Sequence, residues 1–238
     1  MIILHAYSPA FKEPSASPFV VKVMCLLEMS GFAWKPKFST DPRKAPKAKF
    51  PVIIDGDQIV PDSSQIADHL IAKGAVFNAG LSDVEVACGH ALTRMVEEHL
   101  YFTIVQDRWA RDENWPIISQ KYFGHMPWVL RQFVPSLARK QALGSLNGQG
   151  IGRHSFEEAT ARAAKDIDAI AVHLGDQPFL FGDSPKQADA SVGAMLGGIS
   201  DGPTDTPLRR LVRDHATLPG YLDRLHKTIY PSVERLAA

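Results

Sequence analysis

Short apolar runs alternate with helical repeats over the first eighty residues, and helical repeats alone follow. Residues 2–7 form an apolar run of strand length, and a loop rich in Pro and Ser follows as far as Ser17. Residues 18–30 carry apolar side chains on more than one face, with Pro18 at the first helical position and Gly31 as the stop, which predicts a buried helix. Residues 32–38 read as a second strand and residues 41–49 as a basic, Pro-containing loop. The apolar runs 52–54 and 58–60 flank Asp55-Gly56, a strong hairpin signal, and a helix is expected from Ser63 to a stop at Gly74. That order of elements fits a small mixed sheet of the thioredoxin kind.

After a linker over 75–81 the texture changes. Ser82 and Glu85 form a capping-box pair that opens a long helix running to about Arg108. Helical segments also fit 117–123, 128–146, 156–173, 187–199 and 218–229, and the pattern gives no strand beyond residue 80. The expected architecture is an α/β N-terminal, thioredoxin-like domain over 1–76, followed by an all-α C-terminal domain over 82–238.

Composition narrows the classes of function. Lys plus Arg (26) balance Asp plus Glu (26), and no basic run is long enough for a phosphate backbone, so nucleic acid is not expected as a partner. The apolar stretch 20–27 is interrupted by Lys22 and falls short of a membrane span, and residues 1–5 lack the basic start of a secretory signal. A cytoplasmic protein is expected. Cys25 and Cys88 lie in apolar helical patterns and read as reduced, buried thiols, and the nine dispersed histidines show no zinc spacing, so no metal is expected. Gly148-Gln149-Gly150-Ile151-Gly152 imitates a dinucleotide fingerprint but follows a helix rather than a strand. Trp109, Trp115, Tyr122, Phe123 and Trp128 are expected mostly in the core, one or two of them lining an apolar pocket for a second substrate.

Three places can carry chemistry. Ser17, before Pro18, is either a helix cap or a hydroxyl aimed from a helix N-terminus at a ligand thiolate. Lowering a thiol pKa from about 8.5 by about two units takes roughly 2.7 kcal/mol. A charge-assisted hydrogen bond of about 1.5–3 kcal/mol, aided by the helix dipole, supplies it without a general base. Taken alone, Pro51 reads as a trans strand start; a cis Phe50-Pro51 bond would instead expose the Phe50 backbone at the sheet edge to an extended peptide. Asp62-Ser63-Ser64-Gln65 is either a plain helix start or a cradle in which free N–H groups and the Ser63 hydroxyl take a ligand carboxylate while Asp62 faces its ammonium group.

In order and separation these three resemble the glutathione site of the glutathione transferase superfamily. Ser17-Pro18-Phe19-Val20-Val21-Lys22-Val23 is similar to its serine-type helix start, and Lys49-Phe50-Pro51-Val52 with Asp62-Ser63 and Ile66 to its cis-proline bend and acidic-Ser pair. Residues 45–51, 150–155 and 174–183 resemble the branch named for failed axon connections and metaxin. The resemblance implies that glutathione is the co-substrate, that Ser17 activates its sulfur, that Phe50 pairs with the cysteinyl backbone, and that Asp62 with Ser63 holds the γ-glutamyl end. Lys44 or Lys49 would meet the glycine carboxylate. It implies conjugation to a small electrophile and a homodimer, with a non-catalytic binding or scaffold module as the alternative. Lys186 stands where the family has a Ser or Thr cap before the Asp189 of its folding motif, and the long loop before Ser17 leaves Tyr7 and Ser15 as rival thiol partners.

Overall fold

Ile2, Leu4 and Ala6 alternate inward and make β1 (Ile2–Ala6) the buried centre of a four-stranded sheet. The strand order is β2-β1-β3-β4: β2 (Trp34–Phe38) runs parallel to β1, and β3 (Val52–Asp55) and β4 (Gln58–Pro61) complete the sheet antiparallel. This computed structural model describes residues 1–231. The second strand starts two residues later than the pattern suggests, because Phe32 belongs to the turn out of the first helix. The hairpin pairs Asp55 with Gln58 around Gly56 and Asp57.

Helix α1 (Pro18–Ser30) packs on α2 (Ser63–Ala72) and also against α9 (Gln187–Ser200) of the helical half, which is why apolar residues occupy more than one of its faces. Nine of its residues are buried, and Lys22 is among them. One apolar cluster therefore runs from Ile2 through α1 to Tyr221, so that sheet and helices share a core.

The helix predicted from Ser82 is longer and less regular than its pattern. Ser82 and Glu85 cap α3 (Asp83–Met95), which continues through a π-turn (Val96–Leu100) into α4 (Tyr101–Val105) and a second π-turn (Gln106–Ala110). After α5 (Trp115–Phe123), the expected helix over 128–146 is broken into α6 (Trp128–Arg131) and α7 (Val134–Gln149). Pro135 sets that break, since a proline is tolerated only in a first helical turn. Trp128 is correspondingly out of the core, with 68% of its surface exposed. The glycine-rich segment is a structural joint: a Cβ on Gly152 would lie 2.8 Å from the Asn147 nitrogen, so only glycine lets the chain fold back on the end of α7. Ser155 with Glu158 caps α8 (Phe156–Leu174). Helix α10 (Pro207–Arg213), hidden in a Pro- and Asp-rich stretch, is capped by Thr206, and α11 (Leu218–Thr228) follows.

Asp189 does the work of the missing cap at Lys186. Its carboxylate accepts from the backbone N–H of Lys186 (2.8 Å) and of Leu180 (3.0 Å) and from the Tyr221 hydroxyl (2.8 Å), tying α9 to α11. Cys25 is buried and Cys88 only partly so, its sulfur 4.0 Å from Nδ1 of His173; both are free thiols. Among the described residues no helix is long and apolar enough to cross a membrane, and no cluster of three or more His, Cys, Asp or Glu could hold a metal ion. The end of the helical half that the sequence extends to residue 238 lies partly outside the described residues.

Candidate functional site

The loop that joins β1 to α1 is fixed from within. Ser15, 3% exposed, donates its hydroxyl to the Tyr7 carbonyl (2.9 Å) and accepts the Ser17 N–H (3.3 Å), while Ala16 N–H donates to Ser8 (3.0 Å). Ser15 is thereby committed to holding the loop. Ser17 takes the N-cap position with extended backbone, and its carbonyl starts the helix by accepting from Val20 and Val21. Its hydroxyl makes no capping bond. That unused hydroxyl at the positive end of a buried helix separates the chemical reading of Ser17 from the plain cap.

The Phe50–Pro51 bond is cis, and Phe50 is 8% exposed. No described residue donates to its carbonyl, whereas its backbone N–H faces the Tyr7 phenol and draws that group's pKa down against the larger effect of burial. The two rings meet edge-on with centroids 5.1 Å apart. Burial is the main cause that pushes the Tyr7 phenol up to about 12, so at neutral pH it is a hydroxyl, not a phenolate. Of the two backbone groups expected to pair with a ligand peptide, the carbonyl stands open and the N–H faces a side chain of the same site.

The Pro51 carbonyl accepts the Asp62 N–H (3.2 Å), which brings the start of α2 to this edge. Asp62 has φ 75°, a left-handed value that costs a non-glycine residue about 1–3 kcal/mol and is found where function requires a fixed backbone. Its carboxylate accepts from Ser64 N–H (3.0 Å) and lies 3.8 Å from the Lys47 ammonium. Ser63 is 6% exposed and accepts from Lys22 Nζ at 3.4 Å. Phe50, Asp62 and Ser63 are thus brought together through Pro51 at the start of α2, with the Tyr7 ring against Phe50, and Ser17 follows Ser15, which holds the Tyr7 carbonyl. Lys44 and Lys49 are exposed and make no ion pair with a described residue; Lys47 is the lysine that reaches this edge.

The helical half adds charges that sequence reasoning missed. Glu97, in the first π-turn, binds Lys22 at 2.5 Å with both side chains 2% exposed, and it also accepts from Ser191 (3.0 Å) and from Arg94. Arg94 reaches Ser64 at 3.5 Å, which places a cation beside the free N–H groups of α2. Arg108, in the second π-turn, donates to the carbonyls of Ala16 (3.2 Å) and Gly198 (2.6 Å). The signal for Lys22 was a charge in an otherwise apolar helix. For Glu97 and Arg108 it was the local departure from α-helical winding, which no periodicity displays.

Next to Arg108 an aromatic wall forms from Trp109, Trp115, Tyr122 and Phe123, with ring centroids 5.6–6.5 Å apart, and Phe11 meets Tyr122 at 6.2 Å. Tyr101, half-buried, packs edge-on against Phe19 near the start of α1, with ring centroids 4.8 Å apart. A surface cavity of about 270 Å³ between α5 and α7, lined by Ser119, Gln120, Phe123, Arg131 and Pro135, shares only Phe123 with it.

Residues 18–114 match the model of the glutathione S-transferase N-terminal domain, and residues 163–225 that of the glutathione S-transferase C-terminal domain. Over 241 aligned residues, covering 95% of this chain and 98% of the other, the sequence is 33% identical to the isoprene-epoxide–glutathione S-transferase of Rhodococcus sp. (strain AD45). It is 27% identical to the metaxin-2 homolog of Caenorhabditis elegans, over 61% of this chain and 64% of that one. Among solved structures the fold is similar to the beta-etherase LigF from Sphingobium sp. strain SYK-6, with a TM-score of 0.67 at 16% identity over 99% and 98% of the two chains.

Proposed function

The chain belongs to the glutathione S-transferase family, and from that premise we propose that it binds glutathione along the β3–α2 edge and joins the thiolate to a small electrophile. The observation that carries the reading is the Ser17 hydroxyl, free of any capping role, at the N-terminus of a helix whose residues from Val20 to Leu27 are buried. Beside it stand an open Phe50 carbonyl for the cysteinyl N–H, and Asp62 for the γ-glutamyl ammonium with the first N–H groups of α2 for its carboxylate. Ser17 donates to the sulfur, the thiol proton leaves to solvent, and the held thiolate attacks a partner seated on the aromatic wall. The similarity to an isoprene-epoxide transferase supports an epoxide as that partner. There the sulfur bonds to a ring carbon, the C–O bond breaks, and the oxygen takes a proton from water.

Titration calorimetry with millimolar glutathione tests the binding step, and absence of heat sinks it. Ser17→Ala is expected to slow conjugation about 10- to 100-fold, the equivalent of one charge-assisted hydrogen bond, with affinity for glutathione kept within about twofold. An unchanged rate would remove Ser17 from the chemistry.

A second reading has its own observation. Similarity to the metaxin-2 homolog supports a module that keeps the fold without turnover. Glutathione binding with no conjugation across a panel of epoxides and haloarenes would favour it.

A further inference from the structure

Arg108 is 6% exposed, yet no carboxylate of a described residue forms an ion pair with it. Its neighbours are neutral oxygens: the Ala16 carbonyl (3.2 Å), the Gly198 carbonyl (2.6 Å) and the Tyr122 hydroxyl (3.4 Å). Its Nε–H is buried and has no partner at all. A buried cation without a counter-charge is costly, and proteins keep one chiefly where its field is used.

We propose that Arg108 is a positioning residue and fixed positive charge that sets the acidity of the thiol bound at Ser17. The proposal rests on the glutathione reading above. Ala16 is bonded to Ser17, so covalent geometry keeps the guanidinium within about 8 Å of the Ser17 hydroxyl. Arg108 is itself buried, so salt screens its field weakly. A positive charge at that range favours the thiolate over the thiol. The same hydrogen bond fixes the carbonyl before Ser17, and with it the direction in which the hydroxyl points.

The acidic groups near Arg108 leave its charge in force. Glu13, from the loop before α1, is held in the neutral form by burial, which pushes its carboxyl up to about 8. Asp107 is occupied by Arg111 (2.7 Å), Thr206 (3.1 Å) and Asn114. Asp201, beyond α9, is also pushed up by burial and faces Lys12, His226 and Arg209 as well as Arg108. Tyr101, whose phenol is pushed up by burial, and the Tyr122 hydroxyl face the guanidinium, and Phe11 places its ring 5.7 Å away. Close approach of the α9 carbonyl depends on Gly198, where a Cβ would sit 3.2 Å from Pro18 and 3.5 Å from Nη2 of Arg108.

The test follows the ultraviolet absorbance of bound glutathione thiolate against pH in the wild type, Arg108→Gln and Arg108→Lys, with calorimetric affinity measured in parallel. Arg108→Gln, which keeps a donor for Ala16 but loses the charge, is expected to raise the bound-thiol pKa by about one unit, a tenfold fall in its acid dissociation constant. Arg108→Lys should hold the pKa near the wild-type value. Arg108→Met removes the charge without leaving a buried polar group and should shift the pKa as Gln does, which covers failure of the Gln variant to fold. An unmoved pKa in the Gln or Met variant, with glutathione still bound, overturns the proposal alone. Equal shifts in Lys and Gln also overturn it, since they mark a role in structure and not in charge. No glutathione bound by the wild type would overturn the glutathione reading and this inference together.

Discussion

At the scale of single residues, the telling arrangement is that the Tyr7 hydroxyl stands before the Phe50 N–H that a ligand backbone would use. A peptide carbonyl arriving at Phe50 must displace that hydroxyl, and the exchange returns less than a fresh hydrogen bond would. Tyr7→Phe leaves the N–H free, so glutathione is expected to bind about threefold more tightly, in line with a net hydrogen-bond worth of about 0.5–1.5 kcal/mol. The rate at saturation should stay within about twofold of wild type, because the hydroxyl at Ser17 is untouched. A tenfold or larger fall in that rate would instead assign the thiol contact to Tyr7. Ser15 offers no such rivalry, since both roles of its hydroxyl are already filled by Tyr7 and Ser17.

At the scale of elements, α1, α2 and the α3–α4 run are joined through buried charge as well as apolar packing. Lys22 and Glu97 pair at 2.5 Å, Ser63 and Ser191 take their remaining donor and acceptor capacity, and Arg94 completes the group at its rim. Removing one partner strands the other. Glu97→Gln is expected to destabilise the fold by about 3 kcal/mol and to weaken glutathione binding as Ser63 shifts. The double variant Lys22→Met with Glu97→Leu should recover most of that stability, a coupling that paired denaturation curves would reveal. Additive losses in the double variant would show that the pair is not a unit. Here the reach of the sequence is clear. Ser17, Phe50-Pro51 and Asp62-Ser63 were legible because each is a local signal of cap, bend or helix start. The order of elements along the chain and the two-sided burial of α1 followed from apolar pattern, with errors of a residue or two at strand ends. The π-turns, the break at Pro135 and the helix after Thr206 were not legible. Each depends on winding or on tertiary cover, and no spacing of apolar residues records that Glu97 meets Lys22 across 75 positions of chain.

At the scale of the whole molecule, Glu13 links the loop before Ser17 to the last helices and makes stability depend on pH. Its two carboxyl oxygens are buried without hydrogen-bond partners, Oε1 lies 3.9 Å from the His226 ring nitrogen, and Gly197 leaves the space that it fills. In the unfolded chain this carboxyl titrates near 4.5, and in the folded chain burial raises it to about 8. Between those values the folded form keeps a proton that the unfolded form has released. Raising the pH across that window therefore draws the equilibrium toward the unfolded state. The stability tied to Glu13 is whole below about pH 4.5, declines as pH rises, and reaches its floor above about pH 8, a change on the order of 5 kcal/mol. Glu13→Gln should flatten that slope and raise the denaturation midpoint above pH 7, while near pH 4 the two proteins should differ little. His226, itself lowered by burial, is present in both proteins, so the comparison of the two pH curves isolates Glu13. Gly197→Ala offers an independent check, because its Cβ would fall 2.3 Å from Glu13 Oε1 and push the carboxyl out of its site. That variant should be destabilised at pH 5, where Glu13 is otherwise well housed, and shortening the side chain with Glu13→Ala should relieve it. If Glu13→Gln leaves the pH curve of stability unchanged, the loop before Ser17 is not held by a neutral carboxyl, and Arg108 faces an anion after all.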